Sequence, residues 1–159
     1  WNVLMTAPVP VSSVYFGKLA IIFKVTLFTQ LWIGVLYLIT GKLVGFSGFP
    51  PFEILIWLLR GTLAAVAIGA LQLLLSMIIR SFSVPIGIAL LGSIVGFLFS
   101  NKGLGYFCPY ALMLMGMNSN KTEDSLQGGV LPFLLSTVVF FLLFSGCSIY
   151  ILKKRDVRA

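Results

Sequence analysis

The chain alternates long runs without a single charge with short clusters that carry its lysines and arginines. Four such runs, 25–41, 61–79, 81–101 and 125–152, approach the roughly 20 apolar residues that an α-helix needs to cross a hydrocarbon core about 30 Å thick. Lys24 at the head of the first run can snorkel outward along its own stem, so this span is expected over about 19–40. The polar start of the fourth run (Ser125, Gln127, Gly128, Gly129) trims it to about 130–152, and the other two spans are expected at 61–79 and 82–100.

Two further charge-free runs do not meet the criterion. Residues 1–17 contain Pro8 and Pro10, then Ser12 and Ser13, and are expected to hold no continuous helix. Residues 103–120 have an apolar middle of only about 14 residues, 104–117, with Pro109 inside. That length suits an extracellular interfacial or re-entrant segment better than a fifth span. The expected fold is therefore an all-α membrane protein of four transmembrane helices, a single transmembrane domain over 1–159.

Composition agrees. Of 159 residues, 59% are hydrophobic and 9% charged, with a mean hydropathy of +1.08, whereas a soluble domain carries roughly 25% charged residues. Membrane lipid must be its main solvent. The first residue is Trp1 rather than methionine, and the chain is expected to be the ordered part of a longer one.

The net charge of +7 does not point to nucleic acid, because the basic residues sit at segment ends and form no stripe with aromatics. They set a topology instead. With four crossings, Lys18, Lys24, Arg80, Lys153, Lys154, Arg155 and Arg158 share one side. Lys42, Arg60, Lys102 and Lys121 share the other with Glu53, Glu123 and Asp124. The excess of Lys and Arg places both visible ends in the cytoplasm, the tail 153–159 included. Lys153, Lys154 and Arg155 are read as membrane anchors. Arg60 joins them by depth: helix from Arg60 to Ile79 already covers about 30 Å, which leaves Arg60 at the outer boundary.

Within the spans, Gly92 and Gly96 form a GxxxG, and Ala65 and Gly69 a small-xxx-small pair, spacings that let helices pack closely. Pro85 fits the first turn of the third span, after a tight hairpin at Arg80. Gln30 and Gln72 are expected to make helix–helix hydrogen bonds. Cys108 and Cys147, placed toward opposite faces and on the order of 20 Å or more apart, are read as free thiols.

Catalytic chemistry has little to work with. There is no histidine, which removes imidazole metal ligands, the HExxH zinc site and any Ser-His dyad. No metal is expected. The acids are terminal or in loops, so no intramembrane carboxylate pair exists. Gly17-Lys18 and Gly41-Lys42 lack the upstream glycine of a P-loop, Ser12 and Leu36 standing there. A permease, a scaffold or a channel remains.

The order of segments narrows this field. The stretch WNVLMTAPVPVSSVYFGKL, with its APVPVSSVYFGK entrance to the first span, resembles the region between the second and third helices of type-2 ABC export permeases. There a cytoplasmic coupling helix precedes a polar turn and a Gly-Lys. The inner hairpin RSFSVPIGI and the basic tail KKRDVR fit the same family. SFSVPIGIALLGSIVGFLF and CPYALMLMGMN are similar to the permeases of lantibiotic-protection and bacitracin-type exporters.

The resemblance implies that the four spans are the last four of six, with short extracellular apolar helices before the final one. It implies a coupling segment over 1–18, in which Trp1, Leu4, Met5, Pro8, Tyr15 and Lys18 would meet an ABC ATPase subunit. ATP and Mg would reside on that partner, so this chain would carry no cofactor and no catalytic residue. A second permease subunit would complete a homo- or heterodimer in a bacterial plasma membrane. The cargo would be an amphipathic peptide antibiotic, giving lantibiotic immunity and antibiotic resistance, or a lipid-like molecule. A non-ABC scaffold or channel is the alternative.

Overall fold

The computed structural model describes residues 11–45, 51–118, 126 and 129–156. Of these, 89% are helical and none is in a strand. In chain order the helices are α1 (Val11–Leu43), α2 (Pro51–Ile78), α3 (Ser83–Asn101), a 3-10 turn (Gly105–Phe107), α4 (Pro109–Gly116) and α5 (Val130–Asp156). α1, α2, α3 and α5 are long and apolar enough to cross a membrane, which makes the chain an all-α, multi-pass membrane protein.

Each helix begins and ends where the residues allow. α1 starts at Val11, eight residues before the span expected over 19–40, so residues 11–17 of the run 1–17 belong to the first long helix, while residues 1–10 lie outside the described residues. The reason is positional. Ser12 and Ser13 fall in the first turn of α1, whose N–H groups have no intrahelical partner anyway. Proline opens α2 at Pro51 and α4 at Pro109 for the same reason. α2 thereby begins ten residues before the expected span 61–79, and Arg60 lies within one continuous helix. α3 matches 82–100 to within a residue, while α5 runs on from the expected 152 to Asp156. Lys153 and Lys154 in its last turns complement the negative end of the helix dipole.

α3 closes on Gly103, whose φ of +73° is open to glycine and costly for other residues. The chain turns there, with the N–H of Lys102 bonded to the Leu98 carbonyl and that of Leu104 to the Phe99 carbonyl. It then runs back alongside α3 as α4.

α2 is the central helix and packs against α1, α5 and α4. α3 packs chiefly on α4, which lies between it and α2. Two buried clusters mark the two ends of the bundle. One joins Tyr15, Leu19, Ala70, Met77 and Leu152 from α1, α2 and α5. The other joins Ala64, Leu112, Met115, Leu126 and Phe133. Outside these clusters the long helices present large apolar side chains outward, such as Phe28, Trp32, Leu91 and Leu131, as helices facing lipid do.

Candidate functional site

At the end of the bundle where α1 begins, the spacing of Tyr15 and Leu19 puts both on one face, turned toward α2 and α5. Tyr15 is fully buried and its hydroxyl donates to Ser145 Oγ at 2.9 Å. The Phe16 ring meets the Tyr15 ring edge-on at 5.5 Å between centroids. Lys18 is half-buried one turn further on. Of the expected coupling residues, then, Tyr15 and Lys18 lie on the first long helix, while Trp1, Leu4, Met5 and Pro8 lie outside the described residues. Lys153 and Lys154 are exposed near the same end, and the Arg155 side chain is outside the described residues.

Because the Tyr15–Ser145 bond ties helices 130 residues apart in sequence, it fixes how α1 enters the bundle. Tyr15→Phe and Ser145→Ala are each expected to lower the thermal midpoint in detergent, since the hydroxyl left behind is unpaired in an apolar cluster. The double variant should cost less than the sum, with a coupling of about 0.6 kcal/mol, the mean for such bonds in membrane proteins. Strictly additive losses would show that the two hydroxyls do not act as a pair.

The second region surrounds α4. At Gly96 a methyl carbon would come within 2.8 Å of the Ala111 backbone nitrogen, and at Gly92 it would strike the Tyr110 ring. Absence of side chains on this face of α3 is what lets α4 lie against it. Tyr110 in turn accepts a hydrogen bond from Gln72 Nε2 at 2.7 Å, which links α4 to the last third of α2. At its far end Gly116 abuts the Arg60 backbone and the Phe133 ring. The Tyr106 carbonyl accepts from Ser136 Oγ of α5. The short helix is thus clasped by α2, α3 and α5.

Not every expected contact took the form foreseen. Gly69 receives Ile22, bringing α1 against α2, but Ala65 is only half-buried. Gln72 bonds to α4 rather than to a long helix. Gln30 reaches Met117, just past α4, through Nε2 to Sδ at 3.5 Å, and its buried Oε1 has no hydrogen-bond partner among the described residues. Cys108 is buried and Cys147 exposed, both as free thiols. Sequence reasoning did not single out Gly61, Gly116, Tyr110 or Ser145. Gly61 could have been found, for it extends the Ala65–Gly69 pair by one further turn on the same face of α2.

The arrangement offers packing surfaces and isolated polar contacts, the parts of a body that moves or holds others. A family model described as ABC-2 family transporter protein matches residues 1–96, which takes in the segment before α1, all of α1 and α2, and most of α3. No curated protein and no solved structure matches the chain. With more than half its length in that match and four helices of crossing length, the protein belongs to the ABC-2 transporter family and is an ABC-type membrane permease.

Proposed function

We propose that this permease expels an amphipathic peptide antibiotic of the lantibiotic type, or a lipid-like molecule, from a bacterial plasma membrane. The family match carries the reading, because it includes the stretch ahead of α1 where an ATPase would dock. In this reading Mg and ATP sit on a separate ATPase subunit, and the given sequence, with no P-loop and no histidine, supplies the membrane part alone. In this reading the first two of six spans precede Trp1, both visible ends are cytoplasmic, and a second permease subunit completes the pathway. The region 104–117 re-enters the membrane from the outer side. Its Tyr110 meets Gln72 about 18 Å along α2 from Arg60, at 1.5 Å per residue, which supports that depth.

Co-expression with candidate ATPases tests the proposal. The expected result is a stable complex whose ATP hydrolysis rises on adding a lantibiotic. A folded permease that copurifies with none of them, yet carries ion current in a bilayer without any ATPase, would return the choice to a channel.

A further inference from the structure

α2 and α3 are joined by four residues, Ile79 to Phe82, yet α4 lies between the two helices further along. The helices therefore splay, leaving a cavity of about 370 Å³ beside their connection. Its lining includes Gln72, Ser76, Arg80, Ser81, Phe82 and Ile86. Gln72 lies six residues before the end of α2 at Ile78, about 9 Å along the helix, so the lining reaches from the charged turn at Arg80 to an amide.

Arg80 is the sole formal charge between Arg60 and Lys102, and no acidic side chain lines the cavity among the described residues. The guanidinium is exposed, as are Ser76 and Ser81. The Ser76 hydroxyl donates to the Leu73 carbonyl at 2.8 Å, so the Ser81 hydroxyl and the planar fork of Arg80 N–H donors are the groups that suit a phosphate oxygen set. Immediately beside them Phe82, Val84 and Ile86 are exposed apolar side chains, Phe82 by 84%. A ligand that fits both parts carries an anionic phosphate and an apolar chain. The volume is in the range of small-ligand pockets, enough for a headgroup and the start of an acyl chain but too small to enclose a whole two-chain lipid.

We infer that this cavity is a binding site for the phosphate headgroup of an acidic phospholipid, with Arg80 as the charge partner and the acyl chain laid along Phe82 and Ile86. The site does not depend on the ATPase reading, since it needs only a membrane of the right charge. Arg80 thereby makes the pocket answer to lipid composition.

Native mass spectrometry of the purified protein, reconstituted with phosphatidylglycerol and phosphatidylcholine in equal amounts, tests the inference. The wild type should retain phosphatidylglycerol preferentially. Arg80→Gln should reduce that retention about fivefold, the effect of one basic residue at an anionic surface, and Arg80→Lys should keep most of it. Lys102→Gln, at the opposite end of α3, should leave it unchanged, and circular dichroism should show the same helix content in all variants. Unchanged retention in Arg80→Gln, or an equal loss in Lys102→Gln, overturns the site. Displacement of the lipid by millimolar inorganic phosphate would assign the cavity to a soluble anion and overturn the lipid inference.

Discussion

Replacing Gly96 by leucine is expected to abolish the folded protein, and replacing it by alanine to lower the thermal midpoint by several degrees. The added carbon would lie 2.8 Å from the Ala111 nitrogen and 2.9 Å from the Tyr110 carbonyl carbon, both of them backbone atoms. No rotamer change can relieve that clash. α4 must move as a whole, and its bond to Gln72 and its seat against Arg60 at Gly116 move with it. Overpacking of this kind costs about 1–3 kcal/mol, and roughly 2–4 °C accompanies each kcal/mol in a chain of this size. Gly92→Ala should do less harm, because the atom in its way is the Tyr110 ring, which can swing aside at the cost of its hydrogen bond. Gly87 is the control: nothing lies within 4 Å of a carbon added there, so alanine should stabilise by about 0.5–1 kcal/mol through helix propensity alone. Heating the detergent-solubilised variants and measuring the surviving monodisperse fraction gives the order directly. If Gly96→Ala survives heating as well as Gly87→Ala, α4 does not depend on close approach to α3.

That contrast also marks what the sequence made legible. Spans announce themselves because lipid imposes one requirement on every residue that faces it, so charge-free length suffices. The Gly92–Gly96 spacing announced a close contact, but not that its partner would be an eight-residue helix rather than another span. The two polar partners of α4 and α1, Tyr110 with Gln72 and Tyr15 with Ser145, join residues 38 and 130 positions apart, and no local pattern encodes such pairs. Helix starts were misjudged for a different reason. Ser12 and Ser13 weaken a helix interior but suit its first turn, as Pro51 does at the start of α2, and only the location of that turn decides which rule applies. The candidate site was accordingly half visible: its cations and small residues could be named, and its geometry could not.

The long α1 gives the coupling proposal a mechanical form. At 33 residues it extends about 50 Å, well beyond the hydrocarbon thickness, and it is held to α2 and α5 by Tyr15, Leu19 and Ile22. A helix so tied cannot absorb a push at its start by bending one turn. Displacement of the segment ahead of Val11 would tilt α1 and, through the Tyr15–Ser145 bond and the packing of Leu19 with Met77 and Leu152, carry α2 and α5 with it. α2 in turn holds α4. Force applied by an ATPase would therefore reach the opposite end of the bundle through packed helices.

On this basis Leu4→Asp together with Met5→Asp is expected to uncouple the transporter. These are adjacent apolar residues in a segment with no charge before Lys18, and they suit a greasy anchor in an ATPase groove. Placing two carboxylates there would leave unpaired charge at the contact, and loss of a single interface hot spot already weakens binding by about 30-fold or more. Substrate efflux should fall at least as steeply. The spans contain neither residue, so the thermal midpoint and helix content should stay at wild-type values, which separates this result from misfolding. Basal ATP hydrolysis by the partner should persist while its stimulation by substrate disappears, because the ATPase keeps its own chemistry and loses only its grip. Leu4→Met with Met5→Leu, which preserves volume and polarity, should transport normally. Wild-type efflux from the double-aspartate protein would mean that ATP-driven closure enters the membrane elsewhere, and the coupling role of residues 1–18 would have to be given up.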